Sequence, residues 1–156
     1  MSASTGFYKG QLAYLPQGQV KKLPLGKNQS VTGGMLVTTD SNGYVIAVPR
    51  VAAGPAVFNN GGMIINTGGS IGNTASDIAG QESVICQLGK GRIIVELAAG
   101  VRTGNSLQTV NNSNDKFTNA AADAPANTIV GHLIEIAGNA KIVSEDGDLG
   151  VMEVKS

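Results

Sequence analysis

Three kinds of side chain here have the types to do chemistry: a histidine, a cysteine and a few clustered charges. His132 is the sole histidine of the 156 residues, so a multi-histidine metal site is excluded and a zinc site would need carboxylates and a thiolate. It lies in Val130-Gly131-His132-Leu133-Ile134-Glu135-Ile136-Ala137, an alternating run where a surface or hydrogen-bonded histidine is expected rather than a general base. Cys86 is the sole cysteine, which rules out an intrachain disulfide. A reactive thiol needs an electropositive, accessible setting; Val84-Ile85-Cys86-Gln87-Leu88 is apolar and strand-like, so Cys86 is expected in the core. Gly89-Lys90 fails as a phosphate loop, because Val84 stands where the first glycine belongs and Gly91 where Ser or Thr would ligate magnesium. Gly68-Gly69-Ser70-Ile71-Gly72 is glycine-rich, but no helix pattern follows to offer an N-terminal dipole. Glu145, Asp146 and Asp148 lack the spaced ligand set of a calcium loop and predict an acidic turn. No enzyme class survives, and no cofactor or metal is expected.

The elements that would position these groups are strands. Gly is 22 of 156 residues and charged residues only 14%, with no Trp, so tight turns must be frequent. Val, Ile and Thr runs between those turns favour strands over helices. Met35–Thr39 and Tyr44–Val48 flank Asp40-Ser41-Asn42-Gly43, a hairpin whose Asn-Gly pair is expected at positive φ. Val84–Leu88 and Arg92–Ala98 flank a glycine turn. In the second of these, Ile93, Val95 and Leu97 share one face and Ile94 and Glu96 the other, as in a sheet packed on one side. Residues 49–83 read as a surface excursion around a short Met63–Ile65. Further strands are expected at 106–110, 129–137 and 150–154, with one helical turn near Pro125. Val31, Gly34, Val37 and Thr39 hold the same relative places as Val101, Gly104, Leu107 and Thr109. The simplest account of that match is two strands each entered through a turn.

Residues 1–30 read as an extended N-terminal arm, with prolines at 16 and 24 and no sustained period, and 31–156 as a single β domain. Deleting residues 1–28 is accordingly expected to leave a folded domain. The fold class is mainly β: a small β-barrel, β-tulip or sandwich of about eight short strands. Net charge is zero, with 11 basic and 11 acidic residues, so no overall field draws the chain to nucleic acid or a membrane. Charge is unevenly spread, however. Residues 1–50 carry Lys9, Lys21, Lys22, Lys27 and Arg50 against Asp40 alone, which suits contact with an acidic surface, on a partner or a second subunit. No secretory h-region or stretch of roughly 18 apolar residues is visible, predicting a soluble chain made in a reducing cytosol.

The order of segments resembles the head decoration (cement) proteins of tailed bacteriophages. The resemblance rests on Val31-Thr-Gly-Gly-Met-Leu-Val37 with its Asn42-Gly43 turn, on Gly91-Arg-Ile-Ile-Val-Glu-Leu-Ala-Ala-Gly-Val-Arg-Thr-Gly104, and on Val130–Ala137. It implies a homotrimer on the outer capsid surface of a virion, made in the host cytoplasm and bridging copies of the major capsid protein, without direct contact to nucleic acid or membrane. In that setting Phe7, Tyr8 and Tyr14 would anchor the arm, and Lys9, Lys21 and Lys22 would face acidic shell surface. The same aromatics would equally suit folding back onto their own barrel or a sister subunit. The alternative is a tail-tube, baseplate or fibre-associated β protein; a carbohydrate module fits poorly without Trp.

Overall fold

In the computed structural model, the residues described are 9–10, 19–58, 63–65, 70–72, 80, 82–88, 91–136 and 141–155. The short alternating runs form twelve strands. The first seven are β1 (Gln19–Pro24), β2 (Ser30–Thr32), β3 (Leu36–Thr39), β4 (Val45–Ala47), β5 (Met63–Ile65), β6 (Ser70–Gly72) and β7 (Ser83–Leu88). They are followed by β8 (Arg92–Leu97), β9 (Ser106–Thr109), β10 (Lys116–Asn119), β11 (Gly131–Ile136) and β12 (Leu149–Val154). Among the described residues one 3-10 turn, Ala126–Thr128, follows Pro125. Strands β8–β12 close a five-stranded barrel in the order β10-β8-β12-β11-β9, a second sheet runs β1-β7-β5-β3-β4, and β2 pairs with β6. The protein is therefore mainly β and built around a small barrel.

The two sheets are the same module built twice. Strands β1, β3, β4, β5 and β7 pair among themselves as β8, β9, β10, β11 and β12 do. Registers agree residue by residue. Lys21, Lys22 and Leu23 oppose Cys86, Ile85 and Val84, just as Ile93, Ile94 and Val95 oppose Met152, Val151 and Gly150. The parallel closure of the barrel, with Ala98 N–H on the Phe117 carbonyl at 2.8 Å, has its twin in Gly26 N–H on the Val45 carbonyl at 2.8 Å. The β2–β6 pair corresponds to the isolated Arg102–Val143 bridge. The four-position match in the sequence is thus the visible part of a duplication running through both halves. Its glycines recur for a backbone reason: Gly34 (φ +81°) and Gly104 (φ +89°) take the left-handed conformation that closes the Thr32–Met35 and Arg102–Asn105 turns.

Inward positions fill each module. Leu25, Val37, Val45, Val84 and Cys86 form the first core, and their twins Leu97, Leu107, Phe117 and Met152 lie in the second. Gly150, the twin of Val84, faces Leu97 and Leu133, leaving space for their side chains. The halves join because Leu36, Val48, Ala56 and Phe58 of the first half belong to the core of the second. Polar bonds lock the join: Leu36 N–H to Asn114 O, Asn114 Nδ2 to Val48 O (both 2.8 Å) and Ala56 N–H to Thr109 Oγ1 (2.7 Å).

Several local expectations change. The strand count is twelve among the described residues, where about eight were expected. The 36–47 hairpin forms, but only Gly43 takes positive φ. The Asp40 carboxylate shapes the turn instead, accepting N–H groups from Asn42 (2.9 Å) and Tyr44 (3.0 Å). β7 and β8 do not pair across the Gly89–Gly91 turn; the module boundary falls there. Segment 49–83 is more than an excursion, since β5 lies between β7 and β3 and residues 48–58 bind the second half. Ile94 is buried too, so β8 is covered on both faces. Residues 19–24, read as arm, pair with β7 over six positions, and Leu25 is fully buried. A cut after residue 28 would therefore remove an edge strand and a core side chain.

The join can be tested through twin residues. Leu36 is buried between the halves, while its twin Ser106 is exposed. Leu36→Ala should cost about 2–5 kcal/mol in urea unfolding, and Ser106→Ala should stay within about 0.5 kcal/mol of the parent. Equal, small effects at both positions would show that the halves do not pack through Leu36.

Candidate functional surface

β1 (Gln19-Val20-Lys21-Lys22-Leu23-Pro24) is an outermost strand of the first sheet. Leu23 packs on the inner core, and alternation sends Val20 and Lys22 to the outer face beside Ile85 of β7. Val20 is 41% and Ile85 44% exposed, large values for apolar side chains on a sheet face. The twins of Lys22 and Ile85 are Ile94 and Val151, 1% and 2% exposed. One module thus has this face sealed and the other has it open.

The edge differs in the same way. In a strand, the N–H and C=O of one residue point to the same side. Gly10 N–H bonds the Ile94 carbonyl at 2.7 Å on the side of β8 away from β12. The first half's Thr32–Met35 turn packs there as well: a Cβ on Gly34 would touch the Ile94 carbonyl at 3.6 Å and the Lys9 Cβ at 3.7 Å. By the shared register, the main-chain groups of Val20 and Lys22 face the corresponding side of β1, away from β7. Among the described residues none bonds them there. Pro24, the twin of Glu96, sits in the same phase, where its missing N–H costs no ladder bond.

The six residues singled out in the sequence do not gather at one place. Phe7, Tyr8 and Tyr14 lie outside the described residues. Lys9 docks on the second half, its Nζ 3.3 Å from Glu96 and 3.6 Å from Asp115. Lys21 and Lys22 are exposed on β1, and among the described residues no ion pair reaches either. Val20 and Ile85 complete this surface and were missed. Their exposure follows from the register of β1 on β7, which the sequence pattern around Lys21-Lys22 did not signal.

The remaining candidates resolve simply. Lys141 holds Glu145 at 2.9 Å and Asp148 at 3.0 Å, and Lys116 holds Asp146 at 2.7 Å. A hydrogen bond from the Glu145 N–H and then one from Lys141 lower the Asp148 pKa, while the bond to Asp146 raises that of Lys116. The acidic turn is an ion-paired one, and among the described residues no group of three His, Cys, Asp or Glu side chains is placed to hold a metal. His132 is 45% exposed, 4.0 Å from Glu153, which Arg92 binds at 3.1 Å. His132 and Glu153 border a shallow cleft of about 290 Å³ with Ser106, Gly131 and Lys155. The expectation that no serine lies in a Gly-x-Ser-x-Gly motif is corrected by Gly68-Gly69-Ser70-Ile71-Gly72, which has that nucleophile-elbow spacing. That motif needs serine on a strand-to-helix turn, whereas Ser70 opens β6 opposite Thr32. Cys86 is fully buried, and desolvation pushes its thiol up to about 12.

No protein-family model matches the chain, and no curated protein matches it.

Cys86 makes a direct check on the first core. Its thiol should react with a disulfide reagent at pH 8 at least about a hundredfold more slowly in the native protein than in denaturant. Unfolding lowers the thiol from about 12 toward 9.0, so the unfolded chain releases a proton between those values. Stability should therefore fall as pH rises from about 9 toward 12, and Cys86→Ala should lose that component. Equal native and denatured reactivity would place Cys86 outside the core.

Proposed function

We propose that this chain is a non-enzymatic structural protein of a phage virion that binds the outer capsid surface as a homotrimer and cements neighbouring major capsid protein subunits. The observation that carries the reading is the open face of the first half. Val20 and Ile85 are exposed beside Lys22 on the outer face, with Lys21 exposed on the same strand, where the twins of Lys22 and Ile85 are sealed. An apolar pair on a strand with two exposed lysines, which no ion pair reaches among the described residues, suits a protein surface that offers apolar side chains and carboxylates. It agrees with the excess of basic residues in the first fifty positions and with the order of segments that resembles cement proteins.

Three copies of such a face explain how a modest contact becomes a firm one. Each subunit that binds raises the effective concentration of the next, so a trimer gains avidity without new contacts. Phe7, Tyr8 and Tyr14 serve as arm anchors in this reading, since aromatic residues dominate interface energetics. Lys9 serves inside the chain, tying residues 9–10 to the second half.

Co-sedimentation of the whole protein with decoration-free shells of the same phage, before and after expansion, tests this. Saturable binding to expanded shells is expected. Lys21→Glu with Lys22→Glu should weaken it by at least about tenfold, the scale of one to two lost charge-assisted contacts. Sedimentation in solution should give three times the 15.8 kDa chain mass. No binding to either shell would move the assignment to a tail or baseplate component.

A further inference from the structure

We infer that the open edge of β1 is a strand-acceptor site, which takes up an extended acidic segment of the protein partner as an added β-strand. The identity of that partner as capsid protein rests on the function proposed above; the acceptor geometry does not.

The template lies within the same molecule. On β8, the Ile94 carbonyl takes the Gly10 N–H at 2.7 Å, Lys9 reaches Glu96, and Ile94 and Val151 are sealed. An incoming backbone, an ion pair and burial of two branched side chains thus occur together there. β1 offers the same edge with the chemistry exchanged. Lys22 takes the place of Ile94, Ile85 that of Val151, and Pro24 that of the acid that holds Lys9. Val20 and Lys22 present backbone groups that no described residue bonds on this side, Ile85 and Val20 the apolar contact, Lys22 the charge on the same face and Lys21 a further charge on the strand. A segment that fits must bring N–H and C=O groups in extended form, branched apolar side chains and carboxylates. Main-chain bonds supply affinity in such strand addition, and side chains supply the choice of partner. Lysines and a proline along β1 also suit an edge that refuses indiscriminate pairing with other β-strands.

The test uses the full-length, ¹⁵N-labelled protein and two peptide probes, acetyl-Glu-Val-Glu-Val-Glu-amide and its counterpart with Lys at each Glu. The acidic peptide should shift the Val20 and Lys22 amides saturably, and the basic one should not. Lys22→Pro removes an edge-facing N–H and leaves the β1–β7 bonds in place; it should abolish the Val20 response. It should also weaken shell binding by at least about tenfold, whereas Lys22→Gln, which keeps the N–H, should lose less. Silent Val20 and Lys22 amides, or equal responses to both peptides, would overturn the inference. Shell binding with silent amides and an unimpaired Lys22→Pro variant would overturn it while leaving the decoration role intact. Peptide docking without shell binding would support the acceptor edge and reject the capsid as its partner.

Discussion

The two modules meet at a buried asparagine. Asn114, 3% exposed, takes the Leu36 N–H on its main-chain carbonyl and donates its Nδ2 to the Val48 carbonyl. A buried amide N–H without a partner is costly, so the Nδ2 bond to Val48, with the main-chain bond to Leu36, ties the position of the first half to the β9–β10 loop of the second. Leu36 then enters the second core, and residues 48–58 lie along the same half, with Ala56 N–H on Thr109 and Asn112 N–H on the Val51 carbonyl. Given this one contact, the modules can no longer be equivalent. Each shares a register with the other but meets different surroundings.

That inequality is written in twin residues. Leu36 is apolar because it is covered; its twin Ser106 lines an open cleft. Ile94 and Val151 are apolar because they are sealed, and Lys22 stands at the twin of the first. Ile85 breaks the rule. It keeps the branched apolar character of Val151 at 44% exposure, beside Val20 at 41%. Scattered exposed apolar residues are ordinary in soluble proteins. Two of them on one face, next to Lys22 and an edge that no described residue pairs at Val20 and Lys22, carry more weight, because the twin site records what such a face looks like when occupied.

The sequence was legible where backbone geometry restricts residue choice. Asp40-Ser41-Asn42-Gly43 marked its hairpin, and Gly34 and Gly104 recurred at matching places, because left-handed turns tolerate few substitutes, though that recurrence was read as two separate strand entries and not as a duplication. The duplication did not extend visibly beyond those few positions because the modules bury different faces, so their apolar patterns diverge at Leu36/Ser106 and Lys22/Ile94. β1 was hidden for a related reason. An edge strand accepts Lys and Pro, so Lys21-Lys22-Leu23-Pro24 read as arm. β10 was missed because Phe117 is the single buried side chain of Lys116–Asn119. Of the candidate surface, the charge of Lys21 and Lys22 was readable. Its apolar members depended on register, which no local pattern fixed.

The remaining question is why the chain seals one module with its own residues and leaves the other open. Covering β8 uses an anionic recess: Glu96 and Asp115 receive Lys9, and Lys116 bridges Glu96 to Asp146. On β1 the twin of Glu96 is Pro24, which carries no charge, and Asp115 belongs to a β9–β10 loop longer than the one joining β3 to β4. Lysines stand on β1 at the twins of Ile93 and Ile94. A segment shaped like residues 9–10 would therefore meet like charge on β1 and lose its ion pair. Duplication supplied two equivalent edges, and these few substitutions reversed the electrostatic preference of one, so that the module which cannot take the chain's own lysine segment is suited to a segment of opposite sign.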